Sequence, residues 1–474
     1  MNIFSRETYI ERRRQLKLLV GSGKLLFLGN EESSMNFKDN WYPFRQDSSF
    51  LYFFGLDLPG LAAVIDIDED IEILYGDDLT AEESVWHGAT TPLVDLASVV
   101  GIQKVSPLRE LGTSLIGMTK SAIHFLPPYR PENTLKLAEW LERSVLEIPS
   151  LASEAFIKAV VKLRSVKSPG EIQEINKAVT CTAAMHKRVL QEAKPGMKEF
   201  EMVGLITGEA IHFGGNLSFT PIITIDGHIL HNHNYSQILT EGKMLLCDFG
   251  AETAMHYAGD ITRTLPVGPA FTNSQKEMYQ IVRDAHQAAI DALRPGVRFK
   301  DIHLLACYKL AEGLSAIGLM KGNLDDAVEK GSHALFFPCG LGHMLGLDVH
   351  DMEDLGEQYV GYTETLKKST QFGLKSLRLG KELEEGYVLT IEPGIYFNPL
   401  LIDQWQAEKK HSDFINYDQL ANYRNFGGIR IEDDFVITKT GSELLGEPLE
   451  VEISGLEAIR RGALSASKMF KFNL

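Results

Sequence analysis

The chain has 474 residues, 44% of them hydrophobic, and a formal net charge of −17. That length exceeds one small core and points to two domains. The acidic balance, with no basic stripe to neutralise phosphates, excludes a nucleic-acid binder, and no apolar run is long enough to span a bilayer.

The opening MNIFSRETYIERRRQ lacks a hydrophobic signal core, so a cytoplasmic, membrane-free protein is the expectation. Its pattern predicts a helix around 6 to 20, with the Arg12 to Arg14 run as a solvated face. KLLFLGN, SFLYFFGL, AAVIDID and IEILYGD read as short strands separated by polar turns, followed by a helix around 133 to 146. This is an α/β domain without a metal cluster of its own. A junction falls in the stretch ending LRSVKSPGE, dividing the chain into 1–158 and 159–474.

Beyond the junction the chain repeats itself. Ser168 to Glu171 and Thr272 to Gln275 both read as capping boxes, in which hydroxyl and acid or amide satisfy the free amides of a helix's first turn. Ile172, Ile175, Val179, Ala183, Val189 and Leu190 keep one face of the first helix apolar, as packing on a sheet requires. QEAKPGMKEF and DALRPGVRFK then end each helical stretch at Pro-Gly. The strongest pair is EGKMLLCDFG and EGYVLTIEPG, each with an acid seven positions after its Glu, at Asp248 and Glu392. Each acid closes a strand-like apolar run and has a further carboxylate downstream, Asp260 in AGDITRT and Glu432 in GGIRIEDD. His343, in GLGHMLGLDVHD, offers a fifth ligand. Carboxylates at the inner ends of strands need cations, because an isolated charge in low dielectric is prohibitively costly.

Four cysteines, Cys181, Cys247, Cys307 and Cys339, are scattered without CxxC spacing, as expected of buried thiols in a reducing compartment. Long polar segments from His350 to Glu385 and from Tyr396 to Phe426 read as functional or covering loops.

The ordered series LRSVKSPGEI, HILHNHN, DFG, GDITRT, GLGHMLGLDVHD, TIEPGIYF and GGIRIEDD resembles the pita-bread metallopeptidases of the aminopeptidase P and prolidase family over nearly the whole chain. YPFRQDSSFLYFFGL resembles the creatinase-type domain that precedes the catalytic one in these exopeptidases. The resemblance implies a mixed α/β (α+β) fold, with a creatinase-like N-terminal domain followed by a pseudo-twofold pita-bread catalytic domain. Carried over residue by residue, it implies metal ligands at Asp248, Asp260, His343, Glu392 and Glu432. The implied cofactor is two divalent ions, manganese first, with cobalt, zinc or iron as alternatives. Such ions acidify water and polarise a carbonyl. Glu392 resembles the ligand that also relays protons, while His231 and His350 resemble histidines that contact substrate and the tetrahedral intermediate. Arg430 would buttress the acids. Trp86 resembles a tryptophan that, in the family, reaches toward a substrate pocket of its own or a neighbouring subunit, and its plainer reading is burial at a domain face.

The implied substrates are peptides with proline second, and the implied assembly is a homodimer or tetramer through the N-terminal domain. Xaa-Pro is a tertiary amide without an N–H, so ordinary proteases lose a donor they use. The resemblance leaves open an Xaa-Pro aminopeptidase, favoured by the N-terminal match, and an Xaa-Pro dipeptidase. Arg378 supports the latter, matching an arginine that binds the dipeptide's free carboxylate. A non-catalytic pita-bread binding module is the alternative from another class, set against the complete ligand set. Two departures stand out: Cys339 occupies a position where many members have histidine, and the Asp248 to Asp260 gap is one residue longer than usual. Taken singly, an Asp at a strand end more often caps a turn than binds metal; five ligands in family order reverse those odds.

Overall fold

Ser5 opens the first helix, Arg6–Val20, by accepting a hydrogen bond from the Thr8 amide in the computed structural model, which describes residues 3–115 and 123–471. Contacts divide the chain into two units. One runs to Arg164 and includes Met352–Tyr359; the other comprises Ser165–Asp351 and Val360–Leu474.

The first unit is built on a five-stranded sheet in the order Lys104–Ser106, Ile71–Tyr75, Ala62–Asp66, Lys24–Leu28, Ile123–Phe125. The three middle strands pair antiparallel, and each edge strand is parallel to its neighbour. Leu26, Val64, Tyr75 and Phe125 supply part of one core, closed by Leu137 and Leu141 of the helix Pro131–Leu141.

Two expectations fail here. SFLYFFGL is not a strand: Ser48–Phe54 is a helix, every residue buried. Asp47 caps it by accepting from the Phe50 amide, and Gly55 ends it in the left-handed region at φ 65°. An apolar run lacking alternation cannot signal its own period, and the cap decides. Nor is Arg12–Arg14 a solvated face. Arg13 is 0% exposed, and its guanidinium reaches Phe53 O, Val100 O and Glu72 Oε2 at 2.7–2.9 Å. Arg12 donates to Tyr52 O and lies 3.9 Å over the Tyr52 ring. Two of these cations thus serve the carbonyl end of the buried helix, where the backbone dipole welcomes positive charge, and only Arg14 remains on the exposed face with Glu11.

The second unit carries the duplication. Both capping boxes form, at Ser168 with Glu171 and Thr272 with Gln275, and open the helices Pro169–Glu192 and Asn273–Ala292. Each is followed, after a Pro-Gly turn, by a second helix, Glu199–His212 or Phe299–Ala316. Of the apolar stripe predicted on the first helix, Ile175, Val179, Ala183, Val189 and Leu190 are buried and Ile172 is half-buried. His186 on that face stacks 4.0 Å from Phe249. Two three-stranded sheets complete the halves: Ile261–Pro266, Met244–Phe249 and Ile222–Thr224 in one, Val388–Ile391, Asp433–Ile437 and Ser442–Leu444 in the other. A bridge between Thr262 and Glu432 joins the half-sheets. The stretch from Tyr396 to Phe426 is less of a loop than expected, since Asn398 caps a helix at Pro399–Ala407 and a further turn forms at Tyr417–Leu420. Among the described residues no helix is long and apolar enough to cross a membrane.

Candidate metal centre

Asp248 sits one residue from the end of the strand Met244–Phe249 and Asp260 immediately precedes Ile261–Pro266, with the two strands paired antiparallel. The other half mirrors this: Glu392 immediately follows Val388–Ile391, and Glu432 immediately precedes Asp433–Ile437, again an antiparallel pair. The duplicated hairpins therefore present four acids from equivalent strand ends, and the Thr262–Glu432 bridge brings the ends together. The longer gap between Asp248 and Asp260 is taken up by an excursion in which Ala251–Glu252 pairs with Asn216–Leu217 and His256 turns the chain at φ 64°.

His343 reaches the same point from a loop held by the second half-sheet. Its amide donates to Thr390 Oγ1, and its carbonyl accepts from the Thr390 amide at 3.1 Å. Nδ1 lies 3.0 Å from Met344 O, which places the proton there and turns Nε2 inward. Nε2 stands 3.5 Å from Asp260 Oδ2 and 3.6 Å from Glu392 Oε1. Ligand atoms of Asp260, His343 and Glu432 all lie within 4.8 Å of one another.

Arg430 enters from the strand Gly428–Arg430. Its guanidinium donates to Asp248 Oδ2, to the Tyr396 hydroxyl at 2.9 Å and, through Nε, to Thr262 Oγ1 at 3.1 Å. Thr262 in turn donates to Glu432 Oε2 at 2.6 Å. One oxygen of each of Asp248, Asp260 and Glu432 remains buried without a hydrogen-bond partner among the described residues.

The electrostatics follow from this crowding. Burial first, then the charges of Glu432 and Asp248, push the Asp260 pKa well above the usual carboxylate range, and Glu432 is raised likewise. Glu392 rises to about 7 from burial and Asp248, although Arg430 opposes the shift. Burial depresses His343, helped by His350 and Arg378, so its imidazole is neutral and free to ligate. Protein groups leave this negative charge under-compensated, and the unpartnered oxygens point to what completes it: the oxygen-rich set with one imidazole fits divalent cations.

A cavity of about 240 Å³ opens over these residues, lined also by Phe219, His231, Cys339, Val349, His350 and Arg378. The His350 ring lies 4.3 Å from that of His343. His231 keeps an exposed face at the rim, and partial desolvation with Arg430 beside it lowers its pKa. Burial pushes the Cys339 thiol up to about 12, so it lines the wall as a neutral group. Trp86 does not line this cavity; it lies on the helix Ala81–His87 of the first unit, 79% exposed rather than buried. Sequence reasoning overlooked Thr262, Thr390 and Tyr396. The signal for Thr262 was present in GDITRT, where alternation along a strand puts Asp260, Thr262 and Thr264 on one side.

Duplicated half-sheets that converge acids and a histidine beneath an open cavity define a metal-dependent hydrolase. The chain belongs to metallopeptidase family M24, whose model matches residues 173–439. The model for the aminopeptidase P N-terminal domain matches residues 9–124. Among curated relatives, the human Xaa-Pro dipeptidase is 32% identical, the match covering 93% of this chain and 89% of that protein. A probable Xaa-Pro aminopeptidase of Aspergillus niger is 31% identical, over 95% and 91%. Among solved structures, Escherichia coli aminopeptidase P with the inhibitor Pro-Leu aligns with a TM-score of 0.79 and 28% identity, covering 98% of this chain and 100% of that one.

Proposed function

We propose that this protein is a metalloexopeptidase that hydrolyses the bond before proline and releases the N-terminal residue of Xaa-Pro peptides, an Xaa-Pro aminopeptidase. The observation that carries the reading is the convergence of Asp248, Asp260, His343, Glu392 and Glu432 beneath one cavity, with one buried oxygen each of Asp248, Asp260 and Glu432 lacking a partner among the described residues. We assign these five residues to two divalent ions, manganese first, since one imidazole among carboxylates suits a hard ion better than a thiolate set would. Such ions supply Lewis acidity toward the scissile carbonyl and lower the pKa of water.

The chain's own groups do the rest. Glu392 carries a proton from the attacking water to the leaving proline nitrogen, from its place after the strand Val388–Ile391 in the cavity wall. His231 and His350, on the cavity wall, donate hydrogen bonds to the substrate carbonyl as negative charge develops on its oxygen. Arg430 holds Asp248 in place and offsets the acid charge. Residues 1–158 form the N-terminal domain and 159–474 the catalytic one. Exposed Val85 and Trp86 on one helix support assembly of dimers or tetramers through the former. All four cysteines are free, which fits a cytoplasmic location.

Arg378 favours a second reading. A guanidinium in the wall of the same cavity is placed to bind the carboxylate of an Xaa-Pro dipeptide, the substrate form named for the human relative. Manganese-dependent release of amino acid from an Xaa-Pro dipeptide and from the same sequence extended beyond proline tests both. Cleavage of the extended peptide makes the enzyme an aminopeptidase; cleavage of the dipeptide alone makes it a dipeptidase and gives Arg378 the carboxylate. Cleavage of neither by metal-loaded protein refutes the assignment.

A further inference from the structure

A second cluster of ligand-type side chains lies in the same unit, away from the acids. His303 and Cys307 are one turn apart on the helix Phe299–Ala316, so they share a face. His333 meets them from the turn Ser332–Leu335. One donor atom from each of the three falls within 4.8 Å of the others. Cys307 Sγ is 3.4 Å from His303 Nε2. All three are sealed from solvent: His303 and Cys307 are 0% exposed and His333 1%.

Ordinary core histidines satisfy their ring nitrogens when buried, because an unpaired polar atom there keeps the full cost of its lost hydration. Here both nitrogens of His333 and Nδ1 of His303 find no hydrogen-bond partner among the described residues. Two buried histidines with unpaired ring nitrogens, each offering one donor atom beside a buried thiol, are unexplained by packing. We propose that His303, Cys307 and His333 form a second metal site, separate from the carboxylate centre, for a thiophilic d10 cation, copper(I) or zinc.

The donor set disfavours manganese, the ion placed first at the acids. Two imidazoles and a thiolate are soft to borderline ligands and carry no carboxylate oxygen for manganese. Binding releases the Cys307 proton to solvent, and burial keeps both imidazoles neutral, as ligation requires. Charge then ranks the ions. One thiolate cancels copper(I) and leaves a neutral complex, the form a sealed interior tolerates. The same three donors leave zinc with one net positive charge. An ion at this point would tie the helix to the segment leading through Cys339 to His343.

Cobalt(II) reads the site because only sulfur ligation gives a near-ultraviolet thiolate-to-metal charge-transfer band. The full-length protein should be produced in cells supplied with cobalt, so that the ion is present as the chain folds. The expected result is such a band in the wild type, lost in Cys307→Ser and altered in His333→Asn. No band in the wild type, together with no extra zinc or copper over Cys307→Ser, overturns the proposal. A band that survives in folded Cys307→Ser belongs to another thiol and overturns it equally. Parallel preparations supplied with zinc or with copper should hold one more equivalent of one of these metals per chain than Cys307→Ser, which identifies the ion. Equal contents in both arms count against the site. None of these readouts depends on peptidase activity, so failure here is distinguishable from failure of the functional reading.

Discussion

Thr262 couples the two halves of the metal centre through a single oxygen. It accepts from Arg430 Nε and donates to Glu432 Oε2, using one lone pair and its only proton. Thr262→Val keeps the shape and removes both bonds, leaving a buried guanidinium N–H and a carboxylate oxygen unpaired. The expected cost is about 1–3 kcal/mol of stability by denaturant titration, with metal affinity weakened about 10–100-fold in chelator competition. Unchanged metal affinity would show that Glu432 needs no orienting partner. Glu392→Ala removes a carboxylate assigned both to metal and to proton transfer. Turnover of metal-saturated protein should fall by on the order of 10²–10⁴-fold or more, and near-wild-type activity would sink the assignment. Cys339 shows how far a residue can be read without neighbours: its departure from the family pattern was visible in the sequence, while its neutral, thiol-up state follows only from its burial.

The buried helix Ser48–Phe54 shows how element type escapes a sequence reading. Seven consecutive buried residues have no period to detect, so the decision passes to the ends, where Asp47 caps and Gly55 turns the chain left-handed. Gly55 is also packed: a Cβ there would lie 2.3 Å from atoms of the Tyr9 ring. Gly55→Ala therefore meets both a φ penalty and a clash, and should lower stability by about 1–3 kcal/mol. Loss of only a few tenths in a denaturation curve would mean that the Tyr9 ring yields freely. The amphipathic helices of the second unit were legible for the opposite reason. Their caps at Ser168 and Thr272 and their one-sided apolar stripes are local features, and local features are written in order along the chain.

Metal removal tests the molecule as a whole, because the two half-sheets meet at mutually repelling acids. Without cations, Asp260, Glu392 and Glu432 have folded-state pKa values raised above their unfolded ones, Glu392 to about 7. A raised acid contributes stability that is complete below the unfolded pKa and is lost as pH climbs through the folded one. The metal-free protein should therefore lose stability between roughly pH 4.5 and 7 from Glu392 alone, with its neighbours extending the loss upward. Bound cations remove that penalty, so the gap in Tm between metal-loaded and chelated protein should widen from pH 5 to pH 8. A gap that stays constant or narrows would show that the acids are compensated by protein groups.

The sequence by itself determined the duplication and the pairing of Asp248 with Glu392, each with an acid downstream at Asp260 and Glu432, because a repeated strand–acid pattern survives in one dimension, while His343 joined them through the resemblance of its motif to the family. Tertiary structure decided what those residues meet. Arg12 and Arg13 are buried because the carbonyl end of a distant helix and Glu72 satisfy them, which no local pattern records. Thr262 joins the halves across 170 positions of sequence, and His333 comes to His303 and Cys307 from beyond the end of their helix. Hydrophobic period and capping act over a few residues, whereas the partners of buried charges and ligands are chosen by packing between segments far apart in the chain.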